Sequence, residues 1–326
     1  MNPASPEPLA HLDEAREILQ ALGLEEHDGI RLRPVSGHNS SLLLPCRGPT
    51  GKDFVLKLFV PPADSRFYPP EVRVEDYARR EAAFYRFLDS VDPERIEIPA
   101  PRTVWIDPKD PPRWVLLEWI HGAVGPAEEV LGQDQIFDLL SRLRRLPLDR
   151  LAGRRDFPLN HWDVISYLDR VRLMYETVLQ VIGERRWRAV MDFFDEALRW
   201  TEARPPTLVH GDFTETNILV DADGSPFLID FERIGVGNED HDFAWLWLHS
   251  TRGLDWKRSL LARYFGTRFG SDRIKAEWGI RAALVYLALR RLRFGFLSHG
   301  ERDPLASRNV ALLDACLVGG RELFPA

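Results

Sequence analysis

His210-Gly211-Asp212-Phe213-Thr214-Glu215-Thr216-Asn217, followed by Ile229-Asp230-Phe231-Glu232, gathers two carboxylates and a carboxamide into one loop-and-hairpin unit. Asp212 is suited to accept the hydrogen bond of an attacking hydroxyl, and Asn217 and Asp230 offer hard oxygen ligands to a divalent cation that bridges phosphates. Between the two motifs, Asn217-Ile218-Leu219-Val220-Asp221 reads as a strand. Asp221-Ala222-Asp223-Gly224 reads as a turn, with Gly where positive φ is needed, and Phe227-Leu228-Ile229 as the returning strand. That order puts Asn217 before one strand and Asp230 after its partner, so both fall at the same end of the hairpin. A surface hairpin with acidic turns is the plainer alternative.

The order His-x-Asp-x4-Asn, hairpin, Asp-Phe resembles the protein-kinase catalytic loop and metal-binding triplet. The form His-Gly-Asp, with Asp-Phe-Glu in place of Asp-Phe-Gly, resembles the aminoglycoside phosphotransferase and choline kinase-like family of small-molecule kinases. The resemblance implies an α+β, protein kinase-like fold of two lobes. Residues 1–120 would form a nucleotide-binding lobe on a five-stranded antiparallel sheet. Residues 121–326 would form a mainly helical lobe with the catalytic loop, the metal site and the acceptor pocket. It also implies that Asp242 accepts hydrogen bonds from the catalytic-loop backbone, although an Asp opening a helix serves equally well as an N-cap. His210 then reads as a structural hydrogen-bonder and Asp212 as the catalytic residue.

The first 120 residues supply matching elements. A leading helix spans residues 9–23, and β-type runs follow at Ile30–Val35 and Ser41–Leu44. The small and polar Ser36-Gly37-His38-Asn39-Ser40 between them can fold backbone N–H groups over phosphates, with Ser36, Gly37 and Ser40 the candidate contacts; an ordinary hairpin turn reads the same way. Phe54-Val55-Leu56-Lys57-Leu58-Phe59 is an apolar strand carrying one lysine. A buried ammonium needs partners, and the kinase pattern gives it the nucleotide phosphates and a helix Glu. A lysine on the wet face of an edge strand is the alternative. On the helix from Val74 to Leu88, Glu81 shares a face with Tyr77, Phe84 and Leu88 and is the expected partner of Lys57; Glu75 is its rival. Strands at Arg102–Ile106 and Arg113–Glu118 lead to Trp119-Ile120-His121-Gly122 in the place of the kinase hinge. Glu118 and Ile120 are candidates there for pairing with an adenine edge, and a plain linker would look the same.

Beyond residue 125 the chain reads as helical. Tyr167, Val171, Met174 and Val178 make one core stripe, Pro205-Pro206 closes a long run, and Gly235-Val236-Gly237-Asn238 reads as a flexible connector. Apolar runs are too short to span a membrane, and the first residues lack a signal pattern. Cys46 and Cys316 are too few for a disulfide framework, so a reduced, cytoplasmic setting is expected. The net charge of −7 with both signs interspersed disfavours nucleic acid as a partner. Residues 1–120 carry 15 Lys and Arg against 20 Asp and Glu, which leaves 28 against 30 for the remainder. So neutral a helical lobe mildly disfavours a strongly cationic acceptor, although a local acidic pocket is compatible with the same sum.

The expected activity is transfer of the γ-phosphate of ATP, or GTP, to a hydroxyl of a small-molecule acceptor, with Mg²⁺ held by Asn217 and Asp230. The alternative is a catalytically silent nucleotide-binding or scaffold protein on the same fold. A protein kinase is disfavoured by Glu232 in the metal-binding triplet and by the lack of an Ala-Pro-Glu segment after it.

Overall fold

A computed structural model describes residues 7–27, 41–60, 74–124, 131–152, 157, 160–201 and 204–319. In chain order the elements begin with α1 (Glu7–Ala21), β1 (Glu25–Glu26), β2 (Ser41–Arg47), β3 (Asp53–Phe59), α2 (Val74–Val91), β4 (Thr103–Ile106), β5 (Trp114–Glu118) and β6 (Gly122–Val124). Next come α3 (Gln133–Arg145), α4 (Leu148–Ala152), β7 (Asn160–Trp162), α5 (Val164–Leu173), α6 (Tyr175–Thr201) and β8 (Thr207–Val209). The chain continues with β9 (Ile218–Asp221), β10 (Pro226–Leu228), β11 (Gly235–Gly237), α7 (Asp240–His249), α8 (Leu254–Gly266), α9 (Gly270–His299) and α10 (Ala306–Val318). Two compact units result. One comprises residues 1–123, 149–158 and 219–233, and the other residues 124–148, 159–218 and 234–326.

In the first unit, five strands pair antiparallel in the order β1-β2-β3-β5-β4. The Ile30–Val35 run read as a strand lies outside the described residues; within them the fifth strand is the short β1. Because successive side chains of a strand alternate between faces, Leu56 and Leu58 of β3 share one face and Lys57 takes the other. The leucine face packs with Ala15 and Leu19 of α1 and with Leu44, Cys46 and Leu116. The amphipathic α2 buries Tyr77, Phe84 and Leu88 together with Glu81.

The β9–β10 hairpin turns as its sequence suggests: the Asp221 carboxylate accepts the N–H groups of Asp223 and Ser225 at 3.0 and 2.8 Å. β10 runs into Asp230 and a short 3-10 turn, Phe231–Arg233. Phe231 is fully buried, its ring 4.7 Å from Phe84 and edge-on to Tyr85 at 5.5 Å. Arg80 of α2 donates to the Glu232 carbonyl at 2.7 Å. One helix thus fixes the segment that carries Asp230.

The second unit is mainly helical around the long α9, whose Ile280, Leu284, Val285 and Leu289 are fully buried. Tyr167, Val171, Met174 and Val178 are buried as the sequence stripe indicated. Residues 235–237 correct the sequence reading. They are not a loose connector but strand β11, parallel to β7 and antiparallel to β8. A Cβ on Gly235 or Gly237 would fall 2.4 or 2.1 Å from a β7 carbonyl oxygen, so the two glycines are what lets the strands close up. No helix among the described residues is long and apolar enough to cross a membrane.

Truncating Phe231 removes the ring that seats Asp230 on α2. Phe231→Ala is expected to lower stability by about 3–5 kcal/mol, measured by denaturant titration. A loss below about 1 kcal/mol would show that the segment is held by other contacts.

Candidate active site

Lys57 stands on the central strand and is 5% exposed. Its ammonium donates to Glu81 Oε2 and to Asp230 Oδ1, both at 2.6 Å. Glu75, the alternative partner, is exposed. Burial opposes the Lys57 charge, but Asp230, Glu81 and Glu232 outweigh it and hold the ammonium well above the usual lysine range. Glu81 has no exposed surface. Burial pushes it up to about 7, while Lys57 draws it back toward the ionised form. Lysine and carboxylates therefore form a mutually dependent charged group: removing either sign strands the other in an apolar setting.

Asp230 adopts φ +68°, a left-handed conformation uncommon for a residue with a side chain. Such geometry persists where the surroundings over-determine it, and here Phe231 is locked on one side and Lys57 on the other. Carboxylate oxygens of Glu81, Asp230 and Glu232 lie within 4.8 Å of one another. This all-oxygen set is of the kind that hard divalent cations accept.

The His210–Asn217 loop belongs to the second unit. Gly211 bends it at φ +79°, a conformation glycine takes without steric cost. Asp242 then accepts the N–H of His210 at 2.9 Å and of Gly211 at 3.0 Å. The N-cap of α7 is Glu239, so Asp242 is a buried clamp on the loop and not the helix cap. His210 is fully buried, its Nδ1 accepting the Asp212 N–H at 3.4 Å. Asp212 itself is half-buried. Asn217 closes the loop: its amide nitrogen donates to the Asp212 carbonyl at 2.8 Å, so its amide oxygen is the atom that could face a cation.

Sequence reasoning missed three supporting groups. The buried Glu215 pairs with Arg252 at 2.6 Å and accepts from Ser250 Oγ at 2.9 Å, tying the middle of the loop to the segment after α7. His241 stacks on Trp162 at 4.1 Å, with its Nδ1 3.0 Å from the Tyr167 hydroxyl and its Nε2 3.4 Å from the Gly211 carbonyl. Arg80 is the third, through its bond to Glu232. Glu215, a charged residue inside the His210–Asn217 motif, offered a signal; Arg80 and His241 sit among other charged residues and offered none.

Ser36, Gly37 and Ser40 lie outside the described residues. Glu118 ends β5 with its side chain on Lys52 at 2.8 Å. Ile120 falls between β5 and β6, so its backbone belongs to neither strand.

The sequence model of the Phosphotransferase enzyme family matches residues 32–278, and the chain belongs to that family. No curated protein sequence matches it. Among solved structures it is similar to ADP-bound aminoglycoside phosphotransferase APH(2'')-Ib, with 18% identity, a TM-score of 0.62 and coverage of 96% of this chain and 99% of that one. The gentamicin complex of APH(2")-IIa gives 19% identity, a TM-score of 0.60 and 99% coverage of each chain. Choline kinase LicA from Streptococcus pneumoniae gives 14% identity, a TM-score of 0.56, and coverage of 95% and 98%. The protein kinase-like fold expected from the motifs is thus the observed one.

Burial raises the Asp242 carboxyl to about 7, against the two N–H donors and Arg144, which lower it. A carboxyl whose folded pKa exceeds its unfolded value binds more protons in the folded state. Its contribution to stability is therefore present at low pH and fades as pH rises from the unfolded value through about 7. Asp242→Asn is expected to flatten the fall in stability between pH 5.5 and 8. It should also cost about 1–3 kcal/mol, because one buried N–H is left without an acceptor. Urea titrations across that pH range check both. An unchanged slope would show that Asp242 does not titrate there.

Proposed function

We propose that the protein is a small-molecule kinase, transferring the γ-phosphoryl group of ATP, or GTP, to a hydroxyl of its acceptor. The observation that carries this reading is the buried Lys57, bound at once to Glu81 of α2 and to Asp230. Such a cation, fixed by one carboxylate and free to trade the other for phosphate oxygens, suits a nucleotide's negative charge. The solved relatives bound to ADP and to gentamicin lend support at the level of fold.

In the proposed reaction Asp212 accepts the hydrogen bond of the acceptor hydroxyl and takes its proton as the oxygen–phosphorus bond forms. The bond from the γ-phosphorus to the bridging oxygen breaks, and the nucleoside diphosphate leaves with that electron pair. Lys57 orients the phosphates, and Glu81 keeps Lys57 extended. Asp242 and His241 hold the backbone around Gly211, so Asp212 reaches its acceptor from a fixed loop. Asp230, through its carboxylate, and Asn217, through its amide oxygen, are the residues that would hold Mg²⁺, and the chemistry of their donor atoms fits a hard cation. Bound there, Mg²⁺ would neutralise phosphate charge in the transition state.

Asp212→Asn is expected to lower kcat by about two to four decades while Mg-nucleotide affinity stays largely intact. Near-normal turnover by that variant would remove Asp212 from the mechanism. A second prediction tests the lysine pair. Lys57→Ala and Glu81→Ala should impair nucleotide turnover alike, and the double variant should be little worse than either, as for residues that act as one unit. The exposed Glu75 is the control, and Glu75→Ala should behave as the parent. Additive losses in the double variant would show that Glu81 does not act through Lys57.

A further inference from the structure

Close to the catalytic loop, the second unit holds a group of cations with no carboxylate bound to them among the described residues. Lys257, in the first turn of α8, is nine-tenths buried. Among the described residues its ammonium makes no hydrogen bond or ion pair; it lies 5.4 Å from the centre of the Trp247 ring. Arg291 of α9 donates to the Leu248 carbonyl at 3.3 Å, and Arg308 of α10 is exposed; neither has a carboxylate partner among the described residues. The three cations lie within electrostatic reach of one another. Among the described residues the carboxylate that reaches Lys257 is Glu215, which already binds Arg252 and Ser250.

Taking most of a lysine out of water beside other cations, with no carboxylate bound to it, costs folding free energy, and an anion would relieve that cost. The N-terminal turn of a helix carries a positive dipole end that repels a cation and attracts an anion. Burial, then Arg308 and Arg291, push Lys257 below the usual lysine range, and burial with Arg308 and Arg290 brings Arg291 down to about 10. Function gives a reason to keep such a group, and its location gives the function. Glu215 lies three residues after Asp212, and its partner Arg252 lies five residues before Lys257.

We propose that Lys257, Arg291 and Arg308, with Trp247 as an apolar wall, seat the anionic group of the acceptor, a small hydroxylated acid bearing a carboxylate or a phosphate monoester. The inference rests on the phosphotransferase reading and names the substrate class for the same site. An ammonium and two guanidiniums recognise either anion by charge-assisted hydrogen bonds. The same field repels a polyamine or a quaternary ammonium.

The test follows the unfolding midpoint of the full chain as probes are titrated. Mg-ADP is titrated first. Inorganic phosphate and glycerate are then titrated with Mg-ADP present and absent, with choline and kanamycin as cationic comparators. At least one anion is expected to stabilise the protein saturably, and the cations are not. Lys257→Gln and Arg308→Gln should each weaken the anion at least ten-fold, and Lys257→Arg should restore it. Arg308 is exposed, so its variant remains informative if Lys257→Gln does not fold. Phosphate alone or glycerate alone would identify which anion the seat takes. Stabilisation by the cations only, no response to either anion, or equal response in parent and variants would overturn the proposal. Those results with normal Mg-ADP binding leave the phosphotransferase reading standing, whereas loss of the Mg-ADP response sinks that reading by itself.

Discussion

An ammonium placed in the middle of an apolar sheet must be answered by carboxylates, and much of the first unit is arranged around that demand. Lys57 has leucines on both sides along β3, so its side chain is committed to the face that α2 covers. Glu81 can meet it there only because Tyr77, Phe84 and Leu88 press the same stripe of α2 inward. The second carboxylate, Asp230, arrives from far along the chain and is held at a left-handed φ by the burial of Phe231 beside Phe84 and Tyr85. Hydrophobic packing thus sets the positions, and electrostatics makes them interdependent: the buried charges of Lys57 and Glu81 would not be tolerable there without partners, while the more exposed Asp230 can exchange its own.

The loop of the second unit is held by a different method. Asp242 grips its start through two backbone N–H groups, His241 meets the Gly211 carbonyl, and Glu215 grips its middle through Arg252 and Ser250. All three residues are nearly or fully buried, whereas Asp212, the residue between the grips, is half-buried. For the role proposed for Asp212 its side chain must remain reachable, so its rigidity has to come from neighbours that are not.

Much of this was legible in the sequence because local patterns and charge placement agreed. A lone lysine in a β-run, a Glu on an amphipathic helix face and the His-Gly-Asp to Asp-Phe-Glu spacing each follow from short-range periodicity or turn chemistry. Of the clamps, Asp242 was expected from the family resemblance and not from any local pattern, and Glu215 was not read at all, since Arg252 reaches Glu215 and Asp242 reaches His210 across long separations that no local period encodes. Gly235-Val236-Gly237 misled for a related reason. Two glycines usually signal a loose backbone, but here they admit a close approach to β7 that depends on tertiary pairing.

Charge counting shows the same limit. Residues 121–326 are nearly neutral in sum, yet a sum says nothing about which charges are already matched. In the second unit Asp134 pairs with Arg263, Glu239 with Arg144, Arg204 and Arg268, and Asp255 with Arg258. Glu215 is taken by Arg252. Lys257, Arg291 and Arg308 have no carboxylate partner among the described residues, and the loop that carries Asp212 reaches Lys257 through the charge of Glu215. A small patch of unmatched charge in a partly buried setting acts on a ligand more strongly than a larger net charge spread over solvent. Local pairing, and not the sum over a lobe, therefore decides what charge a small region presents to a ligand.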